Sequence, residues 1–61
     1  MILEFLSYRD GEFTFLEQYD EGLCEHIMHV NNVINCMDKQ IHIFDEASVE
    51  IIKEILEELD S

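Results

Sequence analysis

Residues that interrupt secondary structure are scarce in this chain. It has no proline, and only two glycines, Gly11 and Gly22, occur among its 61 residues. Flexible linkers and low-complexity segments are usually rich in proline, glycine or serine, so their absence predicts one continuous acidic globular domain over residues 1–61. No apolar run approaches the roughly 20 residues that a membrane-spanning helix needs. Residues 1–12 also lack the basic start of a signal peptide.

Cysteine is scarce as well, with only Cys24 and Cys36 in the chain. Two cysteines are too few for the dense disulfide framework of a small secreted domain, and we expect a reduced, cytoplasmic protein. A domain of this size buries only about 60% of the surface that its unfolded chain exposes. Such a small core rarely supports a deep catalytic cleft. No catalytic motif stands out, so we expect a protein that is not an enzyme and needs no cofactor.

Basic residues are the third shortage. Three Lys and Arg residues stand against fifteen Asp and Glu residues, which gives a formal net charge of −12. Chains this acidic are often disordered because they bury little apolar surface. Here 48% of the residues are hydrophobic, so we expect a folded protein with its carboxylates mostly on the surface. Such a polyanion repels nucleic acid and anionic membranes, and it attracts basic protein surfaces over long distances.

The first third of the chain has the pattern of a β-hairpin. Strand-favouring residues flank Asp10-Gly11, which is a strong two-residue turn signal. Because side chains alternate along a strand, this turn predicts an apolar face for the core and a second, half-apolar face. The predicted cross-strand pairs are Arg9 with Glu12, Tyr8 with Phe13, Leu6 with Phe15, Glu4 with Glu17, and Ile2 with Tyr19.

The C-terminal segment predicts an amphipathic helix from about Glu46 to Leu59. Asp45 or Ser48 is suited to cap its N-terminus, and aliphatic residues recur along one stripe at helical spacing. We expect this stripe to pack on the core face of the hairpin. The side chains expected in this contact are Ile52, Ile55 and Leu59 of the helix, and Leu6, Tyr8, Phe13 and Phe15 of the hairpin.

Residues 22–44 fit two patterns. Apolar residues at alternating spacings of four and three predict a helix, whereas HIMHV and QIHIF are typical of strands separated by turns at Asn31-Asn32 and Asp38-Lys39. Two adjacent asparagines are unfavourable inside a helix, which favours strands. The prediction is an α+β fold whose small antiparallel sheet starts with the hairpin and is covered by the C-terminal helix. The preferred order is ββββα, and ββαβα is the alternative.

Acidic residues recur about every four positions along the predicted C-terminal helix and form a ridge on its solvent face. Four residues of helix rise about 6 Å, and one DNA strand carries a charge about every 3.4 Å, so the ridge is a sparse imitation of a phosphate track. Further carboxylates and aromatic anchors would complete a binding surface. The predicted partner-binding residues are Glu46, Glu50, Glu54, Glu57 and Glu58 of the helix, Glu12, Glu17, Asp20 and Glu21 nearer the N-terminus, and the apolar anchors Phe5, Tyr8 and Tyr19.

In size and charge the chain resembles the phage-encoded inhibitors that imitate DNA. That resemblance implies a phage protein without catalysis, which inhibits or regulates a basic nucleic-acid-binding protein by occupying its nucleic-acid site. We expect it to bind neither nucleic acid nor membrane itself. The alternative is a structural or regulatory module that forms a homodimer through its sheet edge or through the second hairpin face, which would carry Leu3, Phe5 and Leu16.

A lesser alternative is a metal-binding domain, because every histidine and cysteine lies between positions 24 and 42. Their spacing lacks the C-x2-C and H-x3–5-H pairs that place two ligands on one zinc ion, and we expect no metal site. If this segment is a strand, His26 and His29 point to opposite faces of it. Cys36 and His42 could form a catalytic dyad, and the facing Glu4 and Glu17 could act as an acid–base pair. Neither pair has the supporting residues that such chemistry needs. The candidate metal ligands are Cys24, His26, His29, Cys36 and His42.

Overall fold

The computed structural model describes residues 2–19 and 22–60. It shows an α+β fold, as predicted, in which a three-stranded antiparallel sheet in the order β1-β2-β3 is followed by two helices that pack on it. Among the described residues, neither helix has the length and apolar character needed to cross a membrane. The elements are β1 Leu3–Arg9, β2 Glu12–Tyr19, β3 Gly22–His29, α1 Val30–Asp38 and α2 Glu46–Leu59.

Asp10 and Gly11 form the hairpin turn, as predicted. Their φ angles are +50° and +85°. Positive φ at both central residues is the mark of a type I′ turn, whose twist matches that of two antiparallel strands. Aspartate tolerates this conformation better than most residues, and glycine adopts it without steric cost. Next to the turn, Tyr8 pairs with Phe13 as expected.

A β-bulge at Leu6 overturns the predicted register beyond this point. Phe5 pairs with Phe15 and Ser7 pairs with Thr14, so β1 uses one residue more than β2 across this step. One extra residue moves every side chain beyond it to the other face of the sheet. The first residues of β1 therefore point the opposite way from the prediction.

The bulge also changes which residues of β1 belong to the core. Leu3 is only 2% exposed and Phe5 is half-buried against the core, whereas Leu6 is 43% exposed. Leu3 and Phe5 were predicted on the second, half-apolar face, and that prediction is wrong. The observed pairs are Phe5 with Phe15, Glu4 with Leu16 and Leu3 with Glu17, in place of Leu6 with Phe15, Glu4 with Glu17 and Ile2 with Tyr19.

The middle of the chain follows neither predicted order. β3 is directly followed by α1, so the order is βββαα rather than ββββα or ββαβα. The Val30 N–H donates to the Gly11 carbonyl at 2.8 Å, and Nδ1 of His29 accepts a hydrogen bond from the Asn31 N–H at 3.1 Å. Both bonds satisfy N–H groups that the first turn of a helix leaves without a partner. Asn31 and Asn32 therefore begin a helix instead of forming a tight turn.

The predicted strand in residues 40–44 is reduced to a single bridge. Phe44, which lies in no strand, forms a parallel bridge with Leu3 of β1. The Leu3 N–H donates to the Ile43 carbonyl at 2.6 Å. This segment therefore covers the beginning of the β1 edge without extending the sheet.

The start of α2 completes the cover of the β1 edge. Asp45 is the N-cap, and its Oδ1 accepts from the Ser48 N–H at 2.9 Å. The Asp45 N–H in turn donates to the Leu3 carbonyl at 3.1 Å. The Ser48 hydroxyl, buried at 1% exposure, accepts from the Phe5 N–H at 2.7 Å. The cap of α2 is thus also the attachment of α2 to the sheet.

The core lies between one face of the sheet and the two helices. Phe13 and Phe15 are fully buried and stack with their ring centroids 5.9 Å apart. The predicted contact between the hairpin and the C-terminal helix is correct for Phe13, Phe15 and Ile52. Ile55 is half-buried and packs against the core. The predicted contact is wrong for Leu6 and for Leu59, which is 52% exposed. The buried hydrophobic residues are Leu3, Phe13, Phe15, Val33, Phe44 and Ile52.

The bulge leads to a paired prediction for two leucines of β1. Replacing Leu3 by alanine should lower the free energy of unfolding by about 2–5 kcal/mol, because it removes a buried side chain. Replacing Leu6 by alanine should change it by less than about 1 kcal/mol, as is usual for surface substitutions. Urea unfolding followed by circular dichroism measures both. A larger loss for Leu6→Ala would mean that β1 pairs without the bulge.

Candidate functional site

A row of carboxylates covers the solvent side of α2. The helix directs Ser48 and Ile52 into the core, and with about 100° between successive residues this places the glutamates on the opposite side. All of them are exposed, as the sequence predicted. We call this surface the α2 ridge. It consists of Glu46, Glu50, Glu54, Glu57 and Glu58.

The segment that carries the α2 ridge contains almost no positive charge. Residues 45–60 contain seven acidic residues and one basic residue, Lys53, so half of the net charge of −12 lies in this quarter of the chain. Nζ of Lys53 is 4.0 Å from Oε1 of Glu50, and both side chains are well exposed, so water and salt screen the pair strongly. The last turn of α2 contains no basic residue, although cations are favoured there by the helix dipole.

The remaining predicted carboxylates differ in their exposure to solvent. Glu12 is exposed, and it lies between Arg9 and His29 in the strand register. Glu17 is only 6% exposed and faces the core side of the sheet, so it is not the surface carboxylate that we predicted. The physical reason is its alternation with Phe13 and Phe15 along β2. Asp20 and Glu21 lie outside the described residues.

The predicted apolar anchors are less accessible than expected. Phe5 and Tyr8 are both half-buried and pack against the core. The Tyr8 ring lies 4.7 Å from that of Phe13, and the Phe5 ring meets Phe13 edge-on at 6.1 Å. Their main role is therefore aromatic packing. The side chain of Tyr19 lies outside the described part of the structure.

Glu17 forms a hydrogen bond within the core face. Its Oε1 lies 2.8 Å from Nε2 of His26, whose side chain is 31% exposed. His26 is opposite Phe15 in the register, so the two side chains meet diagonally across β2 and β3. A buried carboxylate is costly unless it is hydrogen-bonded. His26 thus has a structural role that the sequence did not reveal.

The other histidines and cysteines are spread over the molecule. His26 and His29 lie on opposite faces of β3, as strand alternation predicted. Cys24 and Cys36 are free thiols on different elements, and His42 is exposed in the α1–α2 connection. Among the described residues, no three His, Cys, Asp or Glu side chains are placed to hold a metal ion.

The face of the sheet that points away from the helices carries exposed apolar residues. Leu23 and Ile27 of β3 are each 65% exposed, and Leu16 between them on β2 is half-buried. The exposed carboxylates of Glu4 and Glu25 lie directly opposite Leu16 on the neighbouring strands. The sequence predicted Leu16 on the second hairpin face, and Leu16 does lie here, whereas the bulge removes Leu3 and Phe5 from this face. Leu23 and Ile27 join this surface because residues 22–29 form β3. We call it the outer sheet face.

A groove runs between the two helices. Its volume is about 450 Å³, and its lining is aliphatic apart from Asp60. It contains neither a nucleophile nor an acid–base pair of the kind that catalysis requires. The lining residues are Val30, Ile34, Leu56, Leu59 and Asp60.

Comparisons with known proteins identify no relative. No protein-family model matches the chain, and neither a curated protein nor a solved structure matches it significantly. The surfaces described above are therefore the basis of the function proposed below.

The Glu17–His26 pair leads to a stability prediction. Replacing His26 by alanine should lower the free energy of unfolding by about 1–3 kcal/mol, because a buried carboxylate loses a hydrogen bond. Replacing the exposed His42 by alanine should have an effect below about 0.5 kcal/mol. His26→Gln, which retains an N–H donor, should recover part of the loss. Equal stabilities of the His26→Ala and His42→Ala variants in urea unfolding would contradict a role for this pair.

Proposed function

We propose that the protein is a non-catalytic binding protein that occupies the basic nucleic-acid-binding site of another protein and thereby inhibits or regulates it. The observation that carries this proposal is the α2 ridge, a row of exposed carboxylates on a helix that contains a single basic residue, Lys53. A rigid helix holds these charges at a fixed spacing, whereas the spacing between carboxylates on a disordered tail would vary. The ridge therefore offers a basic partner a preorganised pattern of negative charge.

The spacing of the α2 ridge is compatible with that of a nucleic-acid strand. Glu46, Glu50 and Glu54 are separated by about 6 Å of helix rise each. Two phosphate steps of one DNA strand span about 6.8 Å of axis. Successive carboxylates of the ridge can therefore take the positions of alternate phosphates along a short stretch of one strand. From Glu46 to Glu58 the ridge extends over about 18 Å.

The chemistry of the ridge supports an electrostatic function over a purely structural one. Glu57, Glu58 and Asp60 lie at the C-terminal end of α2, where each anion costs about 0.3–1 kcal/mol at low salt because it opposes the helix dipole. Lysines at these exposed positions would stabilise the helix. A basic partner would offset this cost on binding, since opposite charges across an interface steer association and select the partner.

A double charge reversal tests the proposal. Changing Glu50 and Glu54 to lysine should leave the fold intact, because both side chains are exposed on α2. It should abolish capture of basic nucleic-acid-binding proteins from a nuclease-treated lysate of the cells in which the protein occurs. Proteins captured by the wild type should elute at increasing salt, as expected for a charge-driven complex, and duplex DNA should compete with the wild type for them.

The matched control makes the same charge change elsewhere. Glu4 and Asp38 are exposed carboxylates outside the α2 ridge, and replacing both by lysine changes the net charge equally. This control should capture the same proteins as the wild type. The proposal fails if both double variants lose capture equally, or if the captured partners remain bound to the ridge variant and are indifferent to salt.

A further inference from the structure

The two edge strands of the sheet differ in whether other parts of the chain cover them. The edge of β1 is covered at Leu3 and Phe5 by hydrogen bonds to Ile43, Asp45 and Ser48. β3 forms the other edge, and within residues 2–19 and 22–60 no strand pairs with its outer side. Natural proteins usually protect such edges, because unpaired backbone groups can pair with another chain. The β3 edge is therefore available for an added strand.

The register identifies which residues present their backbone groups to this edge. The Val30 N–H points toward β2, since it donates to the Gly11 carbonyl. The β2–β3 ladder is regular over its whole length, and alternate residues of a strand direct their N–H and C=O groups to opposite sides. Leu23, Glu25 and Ile27 therefore direct their backbone groups away from the sheet.

The same three residues have exposed side chains on the outer sheet face. Leu23 and Ile27 are each 65% exposed, and Glu25 is exposed between them. A strand added at this edge would place its own side chains directly opposite these three, on the same face. The edge thus presents an apolar, acidic and apolar side chain in succession, next to a row of backbone groups that no strand of the described residues pairs with. The Glu25 carbonyl in this row accepts a long contact from the Cys24 thiol at 3.8 Å, which an added strand would replace.

We propose that the β3 edge binds an extended segment of another protein by strand addition, with Lys or Arg opposite Glu25 and apolar residues opposite Leu23 and Ile27. Backbone hydrogen bonds would supply affinity, and the alternate side chains would supply specificity, as in other strand-addition complexes. The apolar–basic–apolar pattern reads the same in both directions, so it applies to parallel and antiparallel addition. This site is separate from the α2 ridge and does not depend on the function proposed for it.

Charge complementarity favours a basic segment over a second copy of this chain. Each copy carries a net charge of −12, so association of two copies brings together two strong polyanions. The antiparallel register that places Leu23 opposite Ile27 of a second copy also places Glu25 opposite Glu25. Like charges directly opposite each other destabilise a sheet. A charged residue within an edge strand is a known device against self-pairing.

A peptide titration followed by NMR tests the proposal. The probe is a capped seven-residue peptide with Lys at its centre, Val two positions away on each side, and Thr elsewhere. It should shift the amide signals of Leu23, Glu25 and Ile27 and leave those of α2 unchanged. A peptide with Glu at its centre should bind about five-fold more weakly, as expected for one cross-strand charge pair. A version without backbone N–H donors, made by N-methylation, should not bind.

Two variants with equal charge changes complete the test. Glu25→Lys should reverse the preference, so that the Glu-centred peptide binds more tightly than the Lys-centred one. Glu4→Lys, on the β1 strand at the covered edge of the sheet, should retain the wild-type preference. The proposal is overturned if the two variants behave alike, if the N-methylated peptide binds as well as the unmodified one, or if light scattering shows a wild-type dimer that Glu25→Lys alters.

Discussion

The bulge at Leu6 is the constraint on which the rest of the structure depends. Without it, alternation along β1 would direct Leu6 and Glu4 into the core and leave Leu3 and Phe5 outside. With it, Leu3 is buried at 2% exposure and Glu4 is exposed. The bulge also brings the backbone of Leu3 and Phe5 to the edge where the cap of α2 attaches. One extra residue thus decides the composition of the core and the place of the helix.

The distribution of charge follows from the same arrangement. β2 carries Phe13, Phe15 and Glu17 on its core face, and the Glu17 carboxylate is held there by His26 at 2.8 Å. The other described carboxylates lie outside the buried core. Some of them lie on two surfaces of different character. The α2 ridge is purely acidic, whereas the outer sheet face combines Glu4 and Glu25 with leucine and isoleucine. The first surface suits a partner recognised by charge, and the second suits one recognised by backbone pairing and apolar contact.

A small two-layer fold explains why both surfaces are exposed. Two short helices can cover only one face of a three-stranded sheet, so its other face remains open to solvent. Leu23 and Ile27 on that face therefore have no cover from the described part of the chain. Exposed apolar residues next to an open edge are a risk of aggregation, and the high net charge reduces that risk through repulsion between copies. The acidity can thus serve solubility as well as the partner selection proposed for the α2 ridge.

The sequence by itself determined the features that depend on neighbours along the chain. The Asp10-Gly11 turn, the hairpin next to it and the amphipathic helix α2 with its exposed glutamates each follow from local conformational preference or periodicity. Along β1 the residues of the core face shift from odd positions, Leu3 and Phe5, to an even position, Tyr8. This shift was a signal for the bulge, and the assumption of strict alternation missed it. Only the tertiary structure decided that residues 30–38 form a helix, that Glu17 is buried against His26, and that Ser48 bonds to Phe5. These outcomes depend on hydrogen bonds and packing between residues far apart in sequence, which local propensity does not encode.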